Sequence, residues 1–170
     1  MDRSKSRVRL FFDLQKYDNG VLFLLEGHMP RMSLEERIES SLKRTASNVF
    51  LRSDFNRFGR YDQVGRALRS VIKNGLLVKV GYGVYVKARP STITGNPVPC
   101  IDLMTIGFET MKRLGVEADH GKAMREHRDG LSTQVPMATV IDTGKSRVNR
   151  KITVGKRTII YERDLSGRTR

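Results

Sequence analysis

One face of the helix expected between residues 62 and 74 carries side chains that could contact nucleic-acid bases and phosphates. The set is Gln63, Arg66, Arg69, Ser70 and Lys73, with Arg60 and Tyr61 just before the helix. Arginine can pair with two acceptors of guanine, glutamine can pair with adenine, and neighbouring cations neutralise phosphates. The positive end of the helix dipole and the free N–H groups of the first turn also favour a phosphate. This composition predicts a helix that reads duplex DNA.

A basic outer face also occurs on ordinary solvated helices, so the distribution of charge has to decide between the two interpretations. The chain has 32 Lys and Arg against 18 Asp and Glu, a formal net charge of +14. Between residues 52 and 90 the count is nine against two, and Asp62 is the last acid before residue 88. A solvated helix usually intersperses both signs. The excess therefore favours a polyanionic partner, and double-stranded DNA in particular.

Apolar periodicity and helix-capping residues predict the elements that position the basic face of this helix. Ser33 and Glu36 fit a capping box, and a stripe at Leu34, Ile38 and Leu42 follows it, which predicts a first helix. A brief strand at residues 49–50 and a short helix from Ser53 to Phe58 come next. The third helix has an apolar stripe and ends before Gly75. That stripe consists of Val64, Ala67, Leu68, Val71 and Ile72.

A hairpin is expected directly after this helix. Two β-rich runs, residues 76–80 and 84–86, surround a Gly-Tyr-Gly tip at 81–83. Helix, short helix, helix and hairpin in this order predict a winged helix-turn-helix over residues 32–89. The predicted DNA-binding residues are Arg52, Arg57, Arg60, Tyr61, Gln63, Arg66, Arg69, Ser70, Lys73, Lys79, Tyr82, Lys87 and Arg89.

The remaining chain is expected to form an extension, a linker, a second domain and a tail. Residues 1–31 are either a hairpin around Asn19-Gly20 or an upstream extension, because Met29 and Met32 are alternative starts. Residues 90–99, with three prolines, have a linker composition. Residues 100–164 predict a small α+β domain, followed by a basic tail at 165–170. Its expected elements are helices over 101–114 and 119–129 and strands over 139–142, 151–154 and 158–161. The predicted fold class is thus α+β.

The residue types for catalysis or metal binding are present without the spacing that either needs. Gly144-Lys145-Ser146 lacks the earlier glycine of a phosphate-binding loop, and Ser132 lacks the nucleophile elbow. His120 and His127, seven residues apart on one predicted helix, would lie about 10 Å from each other, too far to share a metal. Cys100 has no partner for zinc. We therefore expect no enzymatic activity, no metal and no cofactor.

The apolar runs are far shorter than the roughly 20 residues that span a bilayer, and acidic and basic residues interrupt the region where a secretory signal would be apolar. The chain has one cysteine, which suits a reducing compartment. These features predict a cytoplasmic protein without a membrane partner.

Several strings resemble the winged-helix segment of abortive-infection AbiEi-type antitoxins. They are Val49-Phe50, Ser53-Asp54-Phe55, Gln63-Val64-Gly65-Arg66-Ala67-Leu68, Asn74-Gly75-Leu76-Leu77 and Gly81-Tyr82-Gly83-Val84-Tyr85. Gly130-Leu131-Ser132-Thr133-Gln134-Val135-Pro136 is similar to a stretch in the C-terminal half of a related antitoxin-like family. The resemblance covers about residues 32–163. The charged segment before Gly130 departs from the small, apolar helix face expected there.

The resemblance implies a bacterial type IV toxin–antitoxin operon. Such an antitoxin would bind an inverted repeat in its own promoter, as a homodimer or as paired monomers, and repress transcription. It would counter a nucleotidyltransferase toxin without a stable complex. Two alternatives remain open at this point. One is a winged-helix regulator of a conjugative plasmid or phage element with no toxin, and the other is a protein-interaction module whose basic face is incidental.

Overall fold

A computed structural model describes residues 32–163 and shows an α+β fold. The helices are α1 (Leu34–Arg44), α2 (Tyr61–Lys73), α3 (Leu103–Arg113) and α4 (Lys122–Arg128), with a 3-10 helix at Arg52–Phe58. The strands are β1 (Val49–Leu51), β2 (Leu77–Gly81), β3 (Val84–Pro90), β4 (Pro97–Pro99), β5 (Asp119–His120), β6 (Val140–Asp142), β7 (Thr153–Val154), β8 (Arg157–Thr158) and β9 (Ile160–Glu162). The hairpin predicted around Asn19-Gly20 and the tail at 165–170 lie outside the described residues.

The first two α-helices form where the capping and periodicity predict them. The Ser33 hydroxyl accepts from the Glu36 N–H at 3.1 Å, and the Glu36 carboxylate accepts from the Ser33 N–H at 2.7 Å. This reciprocal pair satisfies donors that a helix start leaves free. α1 buries Ile38 and Leu42 against the apolar stripe of α2, where Val64 and Val71 are fully buried.

Strands β1, β3 and β2 form an antiparallel sheet in that order, as in a winged helix. Val86 of β3 lies opposite Val49 of β1 and opposite Val78 of β2. Strands β2 and β3 are joined by a tight turn in which Gly83 has a φ of 67°, in the left-handed region that glycine adopts without strain. The predicted hairpin is confirmed, and we call β2, its turn and β3 the wing.

The stretch predicted as an interdomain linker is instead part of this sheet. β4 pairs with β3, with Val98 opposite Arg89 and Pro97 opposite Pro90. Prolines lack an N–H donor, and strand edges accommodate them for that reason. Residues 91–96 are therefore the turn of a hairpin, and the proline-rich composition reflects an edge strand.

The C-terminal half contains a second sheet in which β6 pairs with β5 antiparallel and with β9 in parallel. The predicted helix at 119–129 is shorter than expected, because Asp119 and His120 pair with β6 and α4 starts only at Lys122. The strand predicted at 158–161 is divided between β8 and β9. The Ile159 N–H bonds to Ile152, whereas the Ile160 N–H bonds to Thr139, so the chain changes partners there.

The N-terminal half (residues 32–99) and the C-terminal half (residues 100–163) share a hydrophobic cluster. Val84 and Val86 of the wing cluster with Ile106 of α3, Ile141 of β6 and Ile152, all fully buried. Polar contacts reinforce the junction, because the Glu109 carboxylate of α3 accepts from the Val49 N–H at 3.2 Å. The expected boundary between two domains is thus absent within residues 32–163, which form one unit. No helix in this range is long and apolar enough to cross a membrane.

Candidate nucleic-acid interface

A groove of about 730 Å³ runs between the outer face of α2 and the wing. Four cations line it, together with the single acid Asp62. The cations are Arg52 from the 3-10 helix, Arg66 and Arg69 from α2, and Lys79 from β2. Like charges that converge on one concave surface raise the local concentration of an anionic ligand. We call this surface the basic groove.

Arg52 joins the three elements that form the basic groove. Its Nη2 donates to the Tyr61 carbonyl at 2.7 Å, and its guanidinium carbon lies 4.6 Å from the Tyr61 ring centroid. Its backbone N–H donates to the Gly83 carbonyl at 2.8 Å. The start of α2 and the turn of the wing are therefore held in a defined relation to each other. This places the outer face of α2 beside the wing, as a winged helix needs for DNA binding.

The two arginines that α2 contributes to the basic groove are not engaged in ion pairs within residues 32–163. Neither Arg66 nor Arg69 forms an ion pair with another described residue, and both are exposed. Three residues on a helix correspond to about 4.5 Å along its axis, so Arg66 and Arg69 lie close together on the outer face of α2.

Aromatic side chains flank the cations. Tyr61 is 71% exposed and Tyr82, at the tip of the wing, is 81% exposed. Tyr85 forms part of the groove floor, where burial raises the pKa of its phenol although the charge of Arg52 opposes the shift. Tyr85 is thus neutral at physiological pH. The two exposed rings supply hydroxyl groups and flat surfaces to the groove, one from the start of α2 and one from the turn of the wing.

Over residues 34–166 the chain matches the family of unknown function DUF6088. The match covers most of the chain. The protein belongs to this family. No curated protein matches the chain. Because the family description assigns no activity, the antitoxin interpretation stays a prediction.

In this DUF6088 protein, six of the thirteen predicted DNA-binding residues line the basic groove. They are Arg52, Tyr61, Arg66, Arg69, Lys79 and Tyr82. Arg60 and Gln63 are exposed at the start of α2, where the Gln63 carboxamide oxygen accepts from the Arg60 N–H at 3.4 Å. Lys73 is exposed in the last turn of α2, and Arg89 is exposed where β3 pairs with β4. These four are not among the groove residues.

The other three predicted residues contact α1 or the residue just after it. The Arg57 guanidinium donates to the Ser41 hydroxyl at 2.8 Å, and the Ser70 hydroxyl donates to the Glu35 carboxylate at 2.9 Å. The Lys87 ammonium donates to the carbonyl of Thr45, the C-cap of α1. Lysine near a helix C-terminus stabilises its unpaired carbonyls. These three side chains therefore connect the 3-10 helix, α2 and β3 to α1, and they are not among the groove residues.

Sequence reasoning missed Arg150. Its Nη1 donates to the Tyr82 carbonyl at 3.1 Å, so a residue from the C-terminal half contacts the tip of the wing. The missed signal is the run from Thr143 to Tyr161, which contains six cations and no acid.

Proposed function

We propose that this DUF6088 protein binds duplex DNA through the basic groove and represses transcription at a specific operator. The observation that supports this most is the convergence of Arg66 and Arg69 with Lys79 and Arg52 on one surface. α2 enters the major groove, which is wide enough for a helix. Arg66 and Arg69 contact base edges there, while Arg52 and Lys79 contact phosphates.

The wing adds contacts beside the major groove. Tyr82 stands at its tip, and Lys79 faces the same basic groove from β2. Wing contacts of this kind fix the orientation of the protein, whereas base contacts specify the sequence. Replacement of Lys79 should therefore weaken binding to all duplexes equally, and replacement of Arg66 should relax specificity.

The decisive experiment is a fluorescence-anisotropy titration of the full chain. One duplex carries the region upstream of the gene and the other is a scrambled version, each at low and near-physiological salt. We expect preferential binding to the upstream duplex, with a salt slope of at least roughly 2, because Arg52 and Lys79 each contact a phosphate. Arg66→Ala and Arg69→Ala should each reduce affinity for the upstream duplex by about 1–3 kcal/mol.

The matched control is the double variant Lys43→Ala/Arg44→Ala. It removes two exposed cations from α1, outside the basic groove, and should leave the preference between duplexes unchanged. Equal, salt-sensitive binding to both duplexes, unaffected by Arg66→Ala or Arg69→Ala, would refute sequence-specific repression. The basic groove would then be a general polyanion surface.

The finer proposal is that the protein is a cytoplasmic type IV antitoxin. It rests on the resemblance of residues 49–85 and 130–136 to that class. An inverted repeat upstream of the gene and a nucleotidyltransferase gene beside it would support this assignment. Their absence would favour a regulator of a conjugative plasmid or phage element.

A protein-interaction module is the second candidate, favoured by an exposed apolar segment. Leu131, Val135 and Met137 are 79%, 66% and 98% exposed, in a stretch without helix or strand. Contiguous exposed apolar surface often marks a contact with another protein. The triple variant Leu131→Ser/Val135→Ser/Met137→Ser should retain DNA binding. If it also retains repression and any toxin neutralisation in cells, this candidate is wrong.

A further inference from the structure

A strongly basic segment lies beside the wing and belongs to no predicted site. We call residues 145–157 the basic arm. Its cations are Lys145, Arg147, Arg150, Lys151, Lys156 and Arg157. All except the half-buried Arg150 are exposed, and none of the six forms a salt bridge with another described residue. Six cations without a neutralising partner repel one another, so the arm is suited to an anionic ligand.

The basic arm is attached to the wing by its backbone. Ile152 forms an antiparallel bridge with Gly81, the last residue of β2. A Cβ at position 81 would lie 2.6 Å from the Lys151 carbonyl oxygen, closer than real contacts allow. Glycine at this position therefore permits the approach. Arg150 adds its hydrogen bond to the Tyr82 carbonyl, next to the exposed Tyr82 ring.

The base of the arm is anchored in the protein core. Ile152 is fully buried, and its carbonyl accepts from the Ile159 N–H at 3.0 Å. The Tyr161 hydroxyl donates to the Arg150 carbonyl at 2.9 Å. β7 and β8 pair as a short hairpin with Lys156 in its turn and Arg157 at the start of β8. The cations thus project from a structured element whose position relative to the wing is defined.

We infer that the basic arm is a second DNA-binding element, which contacts backbone phosphates beyond the wing. This inference rests on the proposed function, because the arm reaches DNA only if the wing does. Tyr82 and Gly83 line the basic groove and also lie next to Arg150 of the arm, so a duplex in the groove would pass beside the arm. Residues 145–157 contain no helix that could enter the major groove, which favours phosphate contacts over base reading.

The test compares two triple variants of the full chain that lose the same charge. Arg147→Ala/Lys151→Ala/Arg157→Ala removes exposed cations of the arm, and Lys43→Ala/Arg44→Ala/Lys112→Ala removes exposed cations from α1 and α3. On a long duplex centred on the operator, each lost phosphate contact lowers the salt slope by about 0.9. We expect the arm variant to lose roughly 2 to 3 units of slope and the control variant to keep the wild-type slope.

Duplex length supplies a second, independent readout. On a duplex shortened to the site covered by α2 and the wing, the wild type should lose at least the slope that the arm variant lost on the long duplex. The arm variant should lose less slope than the wild type on shortening, because only Lys145, Arg150 and Lys156 of its arm remain to contact phosphates. Thermal unfolding of all three proteins checks that the surface substitutions leave the fold intact.

The outcomes separate this inference from the proposed function. If the wild type binds DNA specifically but the arm variant behaves as the control variant on both duplexes, the arm contacts no DNA and the inference is wrong. If the wild type binds neither duplex, the proposed function fails and the arm inference fails with it. Equal losses in both triple variants would show a general charge effect and would also overturn the inference.

Discussion

Helices α2 and α3 both carry arginine, but the arginines of α2 face solvent whereas Arg113 of α3 packs against other residues of the fold. Arg66 and Arg69 of α2 face the basic groove without an ion-pair partner among the described residues. Arg113 of α3 bridges to the Asp54 carboxylate, donates to the Ser47 hydroxyl at 2.9 Å and lies over the Phe50 ring. A charge with neighbours of opposite sign stabilises the fold, whereas one without them remains available to a ligand.

The contacts of α3 also explain why the two halves form one unit. α3 contacts β1 and the 3-10 helix on one side and the second sheet on the other. Gly107 makes the second contact possible, because a Cβ there would lie 2.2 Å from the Ile141 side chain. Helix α3, which the sequence predicts in a separate domain, therefore packs against the wing.

The largest effect is expected from Ile106→Ala, which removes a fully buried side chain between the two halves. Truncation of a buried isoleucine costs about 2–5 kcal/mol of unfolding free energy. Because the core is shared, both halves should lose stability together. Urea unfolding followed by circular dichroism and by tyrosine fluorescence should give coincident transitions at a lower midpoint. Separate transitions for the two probes would contradict a single cooperative unit.

The comparison between the arginines predicts opposite outcomes for two variants. Arg113→Ala leaves the partly buried Asp54 carboxylate without its cation and should cost about 1–2 kcal/mol of unfolding free energy. Arg66→Ala should leave the melting temperature within the experimental error and weaken operator binding instead. Thermal unfolding and anisotropy of both variants check this. An equal loss of stability in Arg66→Ala and Arg113→Ala would contradict the claim that only Arg113 stabilises the fold.

A smaller effect is expected at the start of α3, where Asp102 is the N-cap. The hydroxyl and then the backbone N–H of Thr105 hydrogen-bond to this carboxylate and hold its pKa below the usual 3.8. The ionised cap therefore stabilises the fold above that value, and the contribution is lost as the pH falls through the lowered pKa. Asp102→Ala should cost about 1 kcal/mol near neutral pH.

The same variant should cost progressively less in acid, as the wild-type carboxylate becomes protonated. Guanidinium unfolding at pH 7 and at pH 2 measures the change. Asp102→Asn, which keeps an acceptor oxygen but no charge, is the control and should show a weaker pH dependence. A constant difference between wild type and Asp102→Ala would mean that the charge contributes nothing.

The smallest effect is expected for Tyr161→Phe, which removes the hydrogen bond to the Arg150 carbonyl. The cost should be about 0.5–1.5 kcal/mol. Burial raises the pKa of this phenol from 10.0 to about 12, although Arg150 opposes the shift. The neutral phenol thus favours the folded state, and its contribution declines as the pH rises from 10 through 12. Unfolding at pH 9 and pH 11.5 should show a decline that is steeper in the wild type than in the variant.

The helices and the wing could be predicted from the sequence because their signals are local. Ser33 and Glu36 cap α1 from three residues apart, and the stripe of α2 repeats every three or four residues. The wing has a glycine where the turn needs a positive φ. The strands of the C-terminal half are two or three residues long, and β6 pairs in parallel with the distant β9. Such pairs leave no periodicity to recognise, and their ends were predicted less well.

The candidate site could also be predicted only in part, namely where its residues lie close together in the sequence. The residue types of α2 indicated which helix face could bind DNA, because its buried stripe leaves the opposite face to solvent. Sequence spacing could not show that the Lys87 side chain reaches Thr45, or that Arg57 reaches Ser41. Both contacts join residues far apart in the chain.

By itself the sequence determined the α+β class, the helical layer, the wing and the sign of the charge on its surface. Only the tertiary structure decided which cations stay free, that β4 continues the sheet, and that residues 145–157 lie against the tip of the wing. The physical reason is that periodicity and capping depend on residues within two helical turns of each other. The close approach of Gly81 to Lys151 and the packing of Ile152 with Val84 depend on contacts between residues about 70 positions apart in the described part of the chain.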